Sequence, residues 1–178
     1  MTPRTRLTLF GLIPIVVALD QWTKWLVLNE PRFNALACLP DNRQCGQIEI
    51  SGIFDLTMLW NRGVSFGLGQ SEGLMRWVLV GISAAIAVGF AVWLVRVGRF
   101  WTGLALALVV GGALGNVYDR IVYGAVVDFL DFSGIWRPYF FNYVFNIADA
   151  AISVGAVLLF WDQFLMSLDQ SSAGADTD

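Results

Sequence analysis

Four stretches of the chain are apolar for long enough to cross a bilayer, at residues 7–28, 74–95, 100–120 and 143–165, since roughly 20 apolar residues reach across the hydrocarbon core. Between the first and second the pattern changes. Residues 29–72 are polar and carry the turn signals Pro31, Pro40, Asp41, Asn42 and Gly46. Within them Ile48, Ile50, Phe54, Leu56, Met58 and Trp60 alternate with Glu49, Ser51, Asp55 and Thr57, broken at Gly52. A period of two is a strand pattern. It predicts a small sheet resting on the membrane surface. Trp22 and Trp25 at the end of the first span fit an interfacial aromatic belt, and the polar residues 167–178 read as a disordered cytoplasmic tail. The expected class is an all-α polytopic membrane protein: one domain over residues 1–166, with four transmembrane helices and a small extracytoplasmic β-sheet. Arg4 and Arg6 ahead of an apolar run imitate a cleavable leader. No small-x-small site follows and the run resumes through Leu28, so an uncleaved first span is expected.

Small residues predict how the spans meet. Gly81, Ala85 and Gly89 recur every fourth residue on the second span, and Gly111 and Gly115 form G-x-x-x-G on the third; both patterns are expected to be helix-packing stripes. Gly124 is expected to end or bend the third helix. On one continuous helix Asp119 and Asp128 would lie on opposite faces, whereas a break at Gly124 turns Asp128 back towards the bundle. Residues 133–141, SGIWRPYFF, read as an aromatic interfacial loop.

Composition narrows the chemistry. With 57% hydrophobic residues and a mean hydropathy of +0.64 in 178 residues, little chain remains for a soluble domain. The net charge of -3 points to no nucleic-acid partner. There is no histidine, which removes Ser-His-Asp and Cys-His catalysis and histidine metal sites. Two cysteines alone cannot build a tetrahedral thiolate site, so neither metal nor cofactor is expected. Cys38 and Cys45 share one loop, where they would form a disulfide in an oxidising compartment and stay free thiols otherwise. Gly63-Val-Ser-Phe-Gly67 has the form of a nucleophile elbow, but without histidine Ser65 lacks its usual base. A glycine-bordered turn carrying Asn61 and Arg62 to the membrane surface is the better account.

The remaining chemistry is carboxylate. Asn116, Asp119, Arg120, Asp128 and Asp131 follow the third apolar run, and Asn146 and Asp149 repeat the Asn-x-x-Asp spacing at the head of the fourth. Ionisable residues in a span are costly and mark function by default. Asp20 and Lys24, at i and i+4, can pair on one helix face. With the amino terminus inside, the arginine count opposes the positive-inside rule. The inner residues Arg4, Arg6, Arg96 and Arg99 are crowded into short flanks, however, and several outer ones sit in candidate site motifs. The carboxylates then gather under the outer leaflet, with Asp149 on the order of 10 Å below the start of the fourth span at about 1.5 Å per residue. Two aspartates close together in a low-dielectric site share a proton, and such a dyad hydrolyses amides without histidine, metal or serine. Physical reading alone leaves Asp119 and Asp128 as equal candidates to partner Asp149.

Asp20-Gln-x-Thr-Lys24, Asn61-x-Gly-x-x-Phe66, Gly115-Asn-x-x-Asp-Arg120, Val127-Asp-Phe129 and Phe145-Asn-x-Ala-Asp149 resemble the ordered motifs of the bacterial lipoprotein signal peptidases, the type II enzymes, which are intramembrane aspartic proteases. Each motif alone is weak; in this order and spacing they are specific and extend from the first span to the fourth. The resemblance implies both termini in the cytoplasm, an inner-membrane location and catalysis by Asp128 and Asp149. It implies a prolipoprotein substrate bearing diacylglycerol on its lipobox cysteine, cut on the amino side of that residue. Asp20, Lys24, Asn61, Arg62, Gly63, Asn116, Asp119, Arg120 and Asn146 would order the site or contact lipid and peptide. The expected partners are this substrate and membrane lipid, the expected state a monomer. Ser65 and Ala150 depart from the family's usual residues, and the loop holding both cysteines is long for it. Two rivals stand beside this reading: a Ser/Lys peptidase using Lys24 with Ser65 or Ser51, and a proton-coupled transporter using Asp20, Asp119 and Asp149.

Overall fold

The computed structural model describes residues 1–35, 44–63, 72–132 and 143–175. In chain order these form α1 (Pro3–Leu28), α2 (Pro31–Ala35), β1 (Gln44–Ser51), β2 (Phe54–Asn61), α3 (Glu72–Arg96), α4 (Phe100–Val122), β3 (Val126–Asp131), β4 (Val144–Phe145) and α5 (Ile147–Ala175). Four of the helices, α1, α3, α4 and α5, are long and apolar enough to cross a membrane.

Helix α4 is the centre of the bundle, packing against α1, α3 and α5. Its glycines show why. A Cβ on Gly111 would lie 2.7 Å from Val16 Cβ, one on Gly115 2.7 Å from Asp20 Oδ2, and one on Gly112 would collide with the carbonyl oxygen of Ala148. The G-x-x-x-G pair therefore seats α1, and the glycine between seats α5. The stripe expected on the second span fails. Cβ atoms on Gly81 and Gly89 would meet nothing within 4 Å, because α3 turns that face away from its neighbours. At the bundle end remote from the sheet, the short turn between α3 and α4 is held by Arg6 Nη2 on the Val97 carbonyl at 3.2 Å. There, Asp162 accepts from Arg99 Nη2 at 2.7 Å and from the Thr102 hydroxyl.

The sheet has the order β1-β2-β3-β4, every pair antiparallel. The pattern in residues 48–60 predicted β1 and β2, including the break at Gly52. It did not predict β3 and β4, whose residues sit between two spans and are too few to show a period. Helix α4 ends at Val122, Gly124 takes φ +81°, and the chain reverses into β3. Arg76 Nη2 caps the exposed Ile121 carbonyl at 2.6 Å.

Two boundaries differ from expectation. Residues 143–145 belong to the sheet side, so α5 starts at Ile147 and Asp149 lies in its first turn, not on the order of 10 Å down a helix. At the other end α5 continues to Ala175, past Ser167 where polar composition predicts disorder, because extending an established helix needs no new nucleus. Cys38, Ser65 and segment 133–141 lie outside the described residues, and with Cys38 so does the question of its bond to Cys45.

Gly112→Ala is expected to overpack α4 against α5 and lower stability by about 1–3 kcal/mol. Gly81→Ala, on the open face, is expected to be neutral or mildly stabilising through helix propensity. Thermal unfolding of both variants in detergent checks the contrast.

Candidate active site

The site begins at the head of α5. Asn146 is its N-cap: its Oδ1 accepts from the Asp149 amide at 2.9 Å, while Asp149 Oδ2 reaches back to the Asn146 amide at 3.4 Å. This reciprocal pattern is a capping box. The repeated Asn-x-x-Asp spacing thus has two structural meanings, since Asn116 and Asp119 sit one turn apart inside α4. The next orphan amide of α5, on Ala148, donates to Asp20 Oδ1 of α1 at 2.9 Å.

Asp20 introduces the deepest charges. Lys24 Nζ lies 2.6 Å from Asp20 Oδ2 and 2.7 Å from Asp119 Oδ2, and all three side chains are at most 1% exposed. Asp119 is further occupied: Gln21 Nε2 donates to its Oδ1 at 2.8 Å, and the Val127 amide to its Oδ2 at 3.1 Å. That amide belongs to β3, one residue before Asp128. Asp119 therefore ties α1, α4 and β3 together, and its acceptor positions are filled by a cation and two N–H donors.

Asp128 is surrounded differently. Its Oδ1 accepts from Asn146 Nδ2 at 2.6 Å and its Oδ2 from Asn61 Nδ2 at 2.9 Å, two neutral donors in place of a cation. Asp149 Oδ1 accepts from Asn116 Nδ2 at 2.8 Å. Asn146 consequently stands between the two carboxyls, donating from its side chain to one and from its backbone to the other. Burial and the nearby charge of Asp149 push the Asp128 carboxyl up to about 7, against the opposing pull of the Asn61 and Asn146 bonds and of Lys24.

The remaining positions frame this core. Arg120 donates to the Asn116 carbonyl at 3.3 Å and lies within the fields of Asp149, Asp128 and Asp119. Gly63 takes φ +73° and donates its amide to Asn61 Oδ1 at 2.8 Å, so a glycine turn holds the asparagine that binds Asp128. Arg62 is half-buried just beyond β2. Gln21, part of the motif Asp20-Gln-x-Thr-Lys24 but not among the expected site residues, joins the network through Asp119. Asp131, singled out in the sequence without a role, belongs to a second buried polar group: Asp55 faces it across β2 and β3, and Thr57 donates to it at 2.7 Å.

The same residues are covered by a sequence comparison, in which the family described as Signal peptidase (SPase) II matches residues 12–165. The chain belongs to the signal peptidase II family. It is 39% identical to the lipoprotein signal peptidase of Caulobacter vibrioides over 157 residues, covering 88% of this chain and 86% of that one. With the lipoprotein signal peptidase of Pseudomonas fluorescens it shares 38% over 163 residues, covering 89% and 88%. A solved bacterial membrane enzyme has the same fold, with a TM-score of 0.70 at 23% identity over 88% of this chain and 92% of that one. Every residue of the network, from Asp20 to Asp149, lies within the signal peptidase II match.

Lys24→Met is expected to cost about 3–5 kcal/mol, because it leaves two buried carboxylates without their cation. Unfolding in detergent tests this: a midpoint within a degree of wild type would show that the ammonium does not hold the site.

Proposed function

We propose that the chain is an intramembrane aspartyl endopeptidase that removes the signal peptide from diacylglyceryl-modified prolipoproteins, cutting on the amino side of the lipidated cysteine. Asp128 and Asp149 are its catalytic pair. The observation that carries this reading is the contrast between the aspartates. Asp119 is neutralised by Lys24 and fully bonded, whereas Asp128 and Asp149 flank one asparagine and meet neutral donors. Membership of the family and the lipoprotein signal peptidases among its relatives support the substrate class.

Charge balance supports the division of labour. Lys24 stands against Asp20 and Asp119, and Arg120 faces Asp149; ionising Asp128 as well would add a further buried negative charge. Asp128 is therefore the acid and Asp149 the base. Asp149 takes a proton from a water as it attacks the scissile carbonyl, and Asp128 gives its proton to the carbonyl oxygen, forming a tetrahedral diol. On collapse, Asp128 recovers the hydroxyl proton as the C–N bond breaks, and Asp149 protonates the departing cysteine nitrogen. No cofactor or metal takes part. The sheet lies on the extracytoplasmic side of the inner membrane with both termini in the cytoplasm, and the enzyme acts as a monomer.

The rivals lose ground on geometry. A Ser/Lys peptidase needs a lysine able to accept a proton, but Lys24 is clamped between two carboxylates. A proton relay needs carboxylates spread along the bundle, yet these gather at the sheet end.

Asp128→Asn and Asp149→Asn are each expected to lower kcat by at least about 10³-fold while substrate still binds, measured by cleavage of a diacylglyceryl prolipoprotein in detergent. Near wild-type turnover by either variant would remove that residue from the pair. Because the Asp128 carboxyl must hold a proton, kcat is expected to fall as pH rises through about 7. The native state binds this proton more tightly than the unfolded chain, so the same group's contribution to stability declines between its ordinary 3.8 and about 7. Asn61→Ala removes a bond that favours the charged form and is expected to move the alkaline limb of the pH–rate profile to higher pH.

A further inference from the structure

The two faces of the sheet are buried unequally. In an antiparallel pair opposed residues point to the same face, and alternate residues along a strand share it. Trp60 opposes Val127. With Phe129 they form the inner face, at most 4% exposed, packed with Val27 of α1 and Phe33 of α2.

The other face carries Asp128. Leu59 opposes Asp128, Leu56 opposes Leu130, and Phe145 opposes Leu130 from β4. Alternation adds Phe54, next to Leu56 on this face, and Phe132, just past the end of β3. Leu56 and Leu130 are partly buried and also pack against the inner core, Phe54, Leu59 and Phe145 are partly buried, and Phe132 and Tyr143, at 37% and 60% exposed, are the open part of the face. The outer part of this face is a row of rings. Centroids are 4.8 Å apart for Phe54 and Phe132, 5.9 Å for Phe132 and Phe145, and 6.3 Å for Phe145 and Tyr143. At about 3.3 Å per residue, Phe132 lies about 13 Å from Asp128 along the strand. Burial and the charges of Asp149 and Asp128 push the Tyr143 hydroxyl up, placing the row within the field of the pair.

We infer that this aromatic floor is the binding subsite for the first residues of the mature lipoprotein, the extended segment that follows the lipidated cysteine. The inference rests on the peptidase reading above, and continuity with the site fixes the occupant. A peptide bond held at Asp128 has its signal-peptide side and its acyl chains in the bilayer. On this reading its carboxyl side follows β3 from Asp128 towards Phe132. That segment crosses Leu130 and reaches the rings, and apolar side chains two to five residues beyond the cysteine would cover surface that the fold leaves open. Edge and face contacts with rings select apolar or aromatic residues there over charged ones.

The test uses two diacylglyceryl-cysteine substrates with the same signal peptide. One ends a single residue after the cysteine; the other continues for six residues, with leucine at the third and fifth. Wild type is expected to bind the longer one with a KM about tenfold lower. Phe132→Ala/Tyr143→Ala is expected to lose that preference with kcat on the longer substrate within about twofold of wild type, and Tyr143→Phe is expected to keep it. Three results would overturn the subsite: no preference in wild type, a preference that survives the double substitution, or an equal loss on both substrates, which would mean that the rings serve the lipid or the fold. If wild type cleaves neither substrate, the peptidase reading itself falls and takes the subsite with it.

Discussion

The structure depends on one buried cation. Lys24 holds two carboxylates that come from different helices, and each of those carboxylates also binds a backbone amide of a third element: Asp20 that of Ala148 in α5, Asp119 that of Val127 in β3. Without the ammonium, two negative charges at most 1% exposed would face each other in a low-dielectric interior, a cost of several kcal/mol. With it, the same charges become caps and clamps. The orphan amides at the start of α5 and the start of β3 are thereby fixed relative to α1, and these are the segments that carry Asp149 and Asp128.

The asparagines translate this frame into chemistry. A lysine or arginine bonded to Asp128 would hold it ionised; Asn61 and Asn146 orient it without neutralising its charge. Asn146 also caps the helix that presents Asp149. One residue therefore sets the position of both carboxyls, and small errors in the helix start would be felt by the pair as a whole. Desolvation then favours a proton on Asp128, the property on which its proposed role as the acid rests.

Small residues bring the helices together at this end of the bundle. Gly111, Gly112 and Gly115 let α1 and α5 approach the α4 backbone, bringing Asp20 and Asp149 within reach of residues on α4. The packing that looked most generic in the sequence, a glycine pattern, is what makes the polar network compact. The similar pattern on α3 does nothing of the kind, although nothing in the residues themselves separates the two.

That difference marks what each level of structure determined. Sequence alone specified the four spans, the first two strands, the helix break at Gly124 and the residue set from Asp20 to Asp149, because long apolar runs, period-two alternation and ionisable residues within spans are local signals. It also placed the chain beside a family through motifs whose spacing survives without coordinates. Only the tertiary structure decided how differently the two neighbouring aspartates are bonded, Asp119 to a cation and two N–H donors and Asp128 to two asparagine amides. Asp119 and Asp128 are equivalent as letters, and their difference lies in a lysine almost a hundred positions away in the chain and an asparagine at another helix's start. Strands β3 and β4 were likewise invisible locally: their few residues gain stability from pairing with β2 and one another, and hydrogen bonds across a sheet leave no period in the chain that forms them.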